Sequence, residues 1–343
     1  MTSVPAFFSV TLPHPADSVS VLPGNSSTPT ILACGTYRLI EGTPQRRIGT
    51  VSLYEVEEAC LKELSTLDSV GILDLQWALR ADSTPVLLTA DAEGALNLYS
   101  LTPSSSLTPS SRASCSSTAL ALSLSLPGAY LGTPQLGPAL VSLSSGELAH
   151  VLLREEQLEM GEVWKAHEYE AWVVAWGHAH EPGVLYSGSD DLTLKGWDLR
   201  AGTENPTFVT RRFDAGIVSI VPSPWEEHQL AVGTYDSLVR IYDTRSPARP
   251  LQTHTISGGA WRLAYHPSPL RKDELLVAAM HGGAEVLHLD AEDEDGTGRT
   301  RTRFEGHESM CYGARWVTAD AGEEGDVVAS CSFYDQKLCL WRG

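Results

Sequence analysis

His281 lies in the run AAMHGG, residues 278–283, with Gly282 and Gly283 directly after it. An imidazole titrates near about pH 6.5, so a neutral one can take a proton from water at physiological pH. The glycines leave room for a tight turn or for a substrate backbone. Water activation is the chemistry this residue would do, with Asp190 or Glu170 helping to orient it and Arg262 opposing a developing oxyanion. The plainer readings are a turn histidine bonded locally and an arginine in a salt bridge. Cys331 and Ser332 are rival nucleophiles, although a place at the end of a strand favours burial for both. A second set is aromatic: Trp172, Tyr235, Trp261, Tyr312 and Tyr334. Aromatic faces beside carboxylates attract cations. Any one of these rings alone reads as packing; brought to one rim together, they make a site. No GxSxG elbow, Walker loop, HExxH helix or glycine-rich dinucleotide turn occurs.

A repeat must position these residues. In SGSDDLTLKGWDLR, residues 187–200, alternating segments flank an acidic turn, and Asp191 precedes Trp197 by six residues. Period-two alternation reads as strand, and the turn makes a hairpin. The spacing of six recurs from Asp236 to Tyr242, from Asp335 to Trp341 and from Glu93 to Tyr99. With looser matches at Tyr54, Val151 and Leu289, seven anchors run along the chain at intervals of 45 to 52 residues. Four short strands with turns need about that length, the unit of a propeller blade. The chain resembles the WD-repeat family at these residues, above all in KGWD at 195–198 and in Gly306-His307.

The expected fold is therefore all-β: one seven-bladed WD40-type propeller over residues 1–343. Residues 6–12, AFFSVTL, should close the last blade by pairing with 337–341, which removes an open edge. EVEEACLKEL at 55–64 invites a helix, but its second half reads as an outer strand of blade one. Residues 101–118, rich in Ser, Thr and Pro, and residues 291–303, acidic then basic, read as surface loops that lengthen two of the intervals. His167, Asp191 and Trp197, and again His307, Asp335 and Trp341, recur at blade spacing and so read as structural hydrogen-bond networks rather than catalytic pairs. His14, His150, His178, His180, His228, His254 and His288 show no partner pattern.

Composition narrows the function classes. The 24 basic and 43 acidic residues give a formal net charge of −19, which argues against direct nucleic-acid binding and suits solubility or a basic partner. Six cysteines show neither a CxxC pair nor metal-ligand spacing, and free thiols are expected over a 331–339 disulfide. The N-terminus lacks a signal-peptide pattern, and no apolar run approaches a membrane span. A cytoplasmic monomer is expected.

Beyond the repeat, WKAHEYEAW (164–172), GTYDSLVRIYDTR (233–245), GGAWRLAYHPSP (258–269), AAMHGG, HESMCYGARW (307–316) and CSFYDQKLCLW (331–341) occur in this order, with ACGTY at 33–37. Together they resemble the diphthine methylesterase family, WD-repeat enzymes of diphthamide synthesis. The resemblance covers most of 160–341 and is patchy before that. It implies hydrolysis of the methyl ester of methylated diphthine on translation elongation factor 2, without metal or organic cofactor. The substrate carries a trimethylammonium group, which cannot donate an N–H hydrogen bond and is best held by aromatic faces. Trp172, Tyr235, Trp261, Tyr312 and Tyr334 are the expected cage, and His281, Asp190, Glu170 and Arg262 the expected catalytic set. A non-catalytic adaptor and a ubiquitin-ligase receptor, the latter from the Trp-Asp-Leu-Arg and Tyr-Asp-Thr-Arg endings at 197–200 and 242–245, are the other readings.

Overall fold

In the computed structural model, residues 2–24, 28–57, 60–132, 134–292, 298–317 and 326–343 are described. Their strands form seven sheets, one per blade, antiparallel but for one parallel edge strand. Blade one runs Ala16–Leu22, Ile31–Thr36, Arg46–Val56 and Leu61–Val70, so the second half of the helix-like stretch 55–64 does enter an outer strand, from Leu61 on. Blade four is typical: Ala171–Trp176, Val184–Ser189, Leu194–Asp198 and Phe208–Thr210, from the channel outward. A blade is buried on both faces, so its second strands are apolar or small throughout, as in Ile31–Thr36.

Each blade buries its faces against the next, and an apolar cluster fills every one of the seven interfaces. Trp164 and Trp197 meet edge to face between blades three and four, with centroids 5.9 Å apart. Phe304 and Trp341 stack at 5.4 Å between blades six and seven. The Trp197 indole donates to Ser187 Oγ at 2.9 Å, the hydroxyl reaches His167 Nε2 at 2.8 Å, and His167 Nδ1 lies 2.9 Å from Asp191 Oδ2. Burial holds His167 below the usual imidazole pKa against the pull of Asp191. A neutral ring satisfies that whole chain of donors and acceptors, which makes the network structural. In blade seven, Trp341 and His307 meet on Ser330, but Asp335 accepts from the Glu308 backbone instead of from the histidine.

The ring closes through its first residues. Ala6–Thr11 pairs antiparallel with Lys337–Arg342 and forms the outer strand of blade seven. Thr2–Val4 adds a parallel edge to blade six.

Two expectations about loops need correcting. Within 101–118, Leu107–Ser114 is the outer strand of blade two. An outer strand needs few apolar residues; here Leu107 and Ala113 face in, and a bulge opposite Leu98 and Tyr99 accommodates Pro109. The extra length lies further on, in the connection 126–138 of blade three. Within 291–303, Gly298–Phe304 is the outer strand of blade six, while 293–297 fall outside the described residues.

Candidate active site

Six inner strands enter the channel with the same irregularity. The register skips one residue between Ala16 and Ser18, Ile72 and Asp74, Ala121 and Ser123, Ala171 and Val173, Ile217 and Ser219, and Cys311 and Gly313. A bulge re-aims its side chain. The skipped residues are Asp17, Leu73, Leu122, Trp172, Val218 and Tyr312. In blade six the matching place is held by Trp261, whose N–H donates to Ala278 O at 2.9 Å. One level of the channel mouth thus carries an acid, two indoles and a phenol among aliphatic residues.

The rings meet across blades. Trp172 lies 5.5 Å from Trp261 and 6.4 Å from Tyr235, and Trp261 lies 6.0 Å from Tyr235 and 4.7 Å from Tyr312. The arc continues from Tyr312 to Phe333 at 5.4 Å and from Phe333 to Tyr37 at 6.2 Å. Trp172 Nε1 and Trp261 Nε1 are buried donors without a partner. The same holds for Nε1 of Trp77, Trp164 and Trp176, which lie outside the arc. Burial raises the Tyr235 hydroxyl above its usual pKa, with Asp190 and Glu170 adding to the effect through their negative charge. The Asp190 N–H donates to Glu170 O at 3.2 Å, which ties these two acids together on the rim.

A charged layer sits one residue deeper. Asp74 is locked by Ser18 Oγ at 3.2 Å and by the N–H of Leu75 and of Leu124, both at 3.0 Å. The Arg262 guanidinium lies over the Trp261 ring at 5.6 Å, donates to Leu73 O at 3.4 Å and to Trp261 O at 3.2 Å, and approaches Asp74 Oδ1 at 3.9 Å. Asp17, 5 % exposed, feels both groups. Burial pushes its carboxyl up to about 7; Arg262 opposes that rise and Asp74 assists it. An acid titrating near neutrality, beside an arginine and an aromatic arc, has the properties of a general base. Below this layer the channel opens into a cavity of about 390 Å³ bounded by Arg315, Trp176 and Trp316 at the far ends of the inner strands.

Of the expected residues, Trp172, Tyr235, Trp261 and Tyr312 join in one arc, with Glu170, Asp190 and Arg262 around them. Tyr334 does not join in the same way: it is 68 % exposed and edges onto Phe333 at 5.0 Å. Phe333 is the ring that reaches the arc, and the FY pair in CSFYD was its signal. His281 occupies the expected turn but is exposed, and among the described residues it makes no hydrogen bond or ring contact with Asp190, Glu170 or the arc. The reason is its place in the turn. The turns at 189–193 and 279–283 have equal length but different backbones, with positive φ at Leu192 in the first and at Met280 and Gly283 in the second, so His281 does not repeat the buried placement of Asp191. Met280 Sδ faces Gly259 beside Tyr235: a Cβ on that glycine would lie 2.7 Å from the sulfur. Cys331 is fully buried and its thiol is raised well above its usual pKa, first by a hydrogen bond with the Cys34 thiol and then by burial. Ser332 is buried too, and all six cysteines are free.

No family model matches the chain. Curated proteins do. A diphthine methyltransferase homolog of Dictyostelium discoideum is 30% identical, with 96% of this chain and 97% of that protein covered. Diphthine methyltransferase of Mus musculus is 35% identical over 83% of this chain and 64% of its own length. Among solved structures, a chain of a mitotic checkpoint complex matches with a TM-score of 0.72 at 15% identity, over 98% of this chain and 91% of that one, a likeness of fold alone. With identity at this level spanning nearly the whole ring, the chain belongs to the diphthine methyltransferase family.

Proposed function

We propose that this propeller hydrolyses the methyl ester of methylated diphthine on translation elongation factor 2, releasing methanol and leaving a carboxylate ready for amidation. The observation that carries the reading is the channel mouth, where Asp17 shares one level with the aromatic arc and Arg262 and Asp74 lie one residue deeper. The trimethylammonium group rests against Trp172, Trp261 and Tyr312, each good contact contributing roughly 0.5–2 kcal/mol. Glu170 and Asp190 add a negative rim. Ionised Asp17 takes a proton from water as the oxygen adds to the ester carbon. Arg262 faces the oxyanion. Collapse of the adduct breaks the acyl–oxygen bond, and the proton on Asp17 leaves with methanol. The relatives' name speaks of methyl transfer; in the hydrolysis proposed here water receives the acyl group and the methyl leaves as methanol. A non-catalytic adaptor for the modified factor is the second reading, favoured by the use of propellers as binding platforms.

Trp172→Ala or Trp261→Ala should weaken capture of the methylated factor by about 3- to 30-fold, the loss of one such contact, with little change in melting. Trp197→Ala should do the reverse, costing about 3–5 kcal/mol of stability because the ring is buried. Substrate titration and thermal melts on the three proteins check this. The cage fails if the first two variants bind normally.

A further inference from the structure

At the opposite end of the channel, the connection after the inner strand of blade four, residues 177–183, meets the matching connection of blade five, residues 223–228. Together they gather His178, His180, Glu181, Glu227 and His228. His180, Glu227 and His228 each offer a ligand atom within 4.8 Å of the other two. The His180 ring lies 5.5 Å from that of His178 and 5.4 Å from that of His228.

A second observation comes from His178, which is 5 % exposed. Its Nε2 lies 3.1 Å from the carbonyl oxygen of Ser223, so Nε2 carries the proton and donates. Nδ1 is then a bare lone pair. It is buried without a partner and sits 3.9 Å from Glu181 Oε2, itself buried and unpaired. Glu181 Oε1 lies 3.4 Å from His228 Nδ1, also a buried atom without a hydrogen bond. With its proton on Nδ1, His228 faces Glu181 Oε1 at a distance long for a hydrogen bond, while His178 Nδ1 and Glu181 Oε2 face one another as two acceptors with no donor between them. Such an arrangement is costly unless a cation sits in it.

We propose that His180, His228 and Glu227 bind one zinc-class divalent cation, with Glu181 and His178 as the carboxylate and imidazole that support the ligands. Two imidazoles and a carboxylate suit zinc and its neighbours among the later transition metals, whereas magnesium and calcium prefer oxygen alone. Glu181 stands toward His228 as an outer carboxylate stands toward a metal-bound histidine, fixing the tautomer that leaves Nε2 free to bind. Exposure of His180 and Glu227 leaves a further coordination position open to solvent. The ligands come from two blades, so the ion cross-links them, and no sequence spacing could have announced the set.

The test uses untagged, chelator-stripped protein titrated with Zn²⁺ alone by calorimetry. One equivalent should bind, and His180→Ala and His228→Ala should each weaken binding at least about tenfold. Both variants should melt like the parent in chelator, which separates ligand loss from misfolding. Co²⁺ in place of Zn²⁺ should give ligand-field bands without a sulfur-to-metal charge-transfer band, since the six free thiols lie elsewhere. Absence of stoichiometric uptake, unchanged affinity in the variants, or a thiolate band would overturn the site.

Discussion

Asp17→Asn should lower ester turnover by about 10²–10⁴-fold, the usual contribution of a positioned general base, with capture of the modified factor near normal. Asparagine keeps the shape and loses the ability to take a proton. In the parent protein, kcat/KM should fall as pH drops below about 7, where Asp17 becomes protonated. The residual activity of the variant should lack that limb. Linkage supplies an independent sign. A carboxyl whose folded pKa lies above its unfolded value binds protons more tightly when folded, so its contribution to stability is lost as pH rises through about 7. Above that pH the buried charge is a net cost, and Asp17→Asn should melt no lower than the parent. His281→Ala, by contrast, should keep near-normal turnover, because the histidine is exposed and outside the arc. If His281→Ala is inactive while Asp17→Asn is active, the base has been assigned to the wrong residue.

Asp17 was not legible in the sequence, and the reason is geometric. Nothing around ADSVSVL, the strand Ala16–Leu22, distinguishes this acid from other surface carboxylates. Its place comes from a bulge in the inner strand, and its electrostatics from burial and from Arg262 and Asp74, which other blades deliver one residue deeper. Trp172, Trp261 and Tyr312 were legible because an aromatic at the start of each inner strand must face the mouth once the repeat is recognised. Ser187 and Ser330 escaped notice despite holding the histidine–tryptophan networks together, since serine is common in any strand. The anchor of blade six was misplaced by two residues: Leu287, not Leu289, pairs with Leu275 as Trp197 pairs with Leu185. A slip of two leaves the side chain on the same face, so hydrophobic pattern alone cannot detect it. Residues 101–118 misled for the opposite reason. Their composition forbids a core, but an outer strand needs only an inward Leu107 and Ala113.

Deleting residues 1–12 should be the most destabilising change to the ring. Ala6–Thr11 is the outer strand of blade seven, and Leu12 is 2 % exposed, packed with Leu338 and Leu340. Losing the Leu12 side chain alone costs about 2–5 kcal/mol. The deletion also strips the ladder from Lys337–Arg342 and leaves an unpaired edge beside blade one. Thermal melts should therefore rank parent above Leu12→Ala, and Leu12→Ala above the truncated chain. The point variant remains measurable if the truncated chain does not fold. Equal melting of all three would show that the closing strand carries no stability.

Hydrolysis itself is tested most directly by incubating the purified protein with elongation factor 2 carrying methylated diphthine in water labelled with heavy oxygen. Mass spectrometry of the modified peptide and assay of methanol then report on the same reaction. The account predicts loss of one CH₂ per ester, one methanol released, and the label in the new carboxylate. An unchanged peptide mass would leave only a binding role. Loss of the methyl group without methanol would mean transfer to another acceptor, and label in the methanol would place the cleavage at the methyl carbon; either result would contradict attack of water on the ester carbonyl.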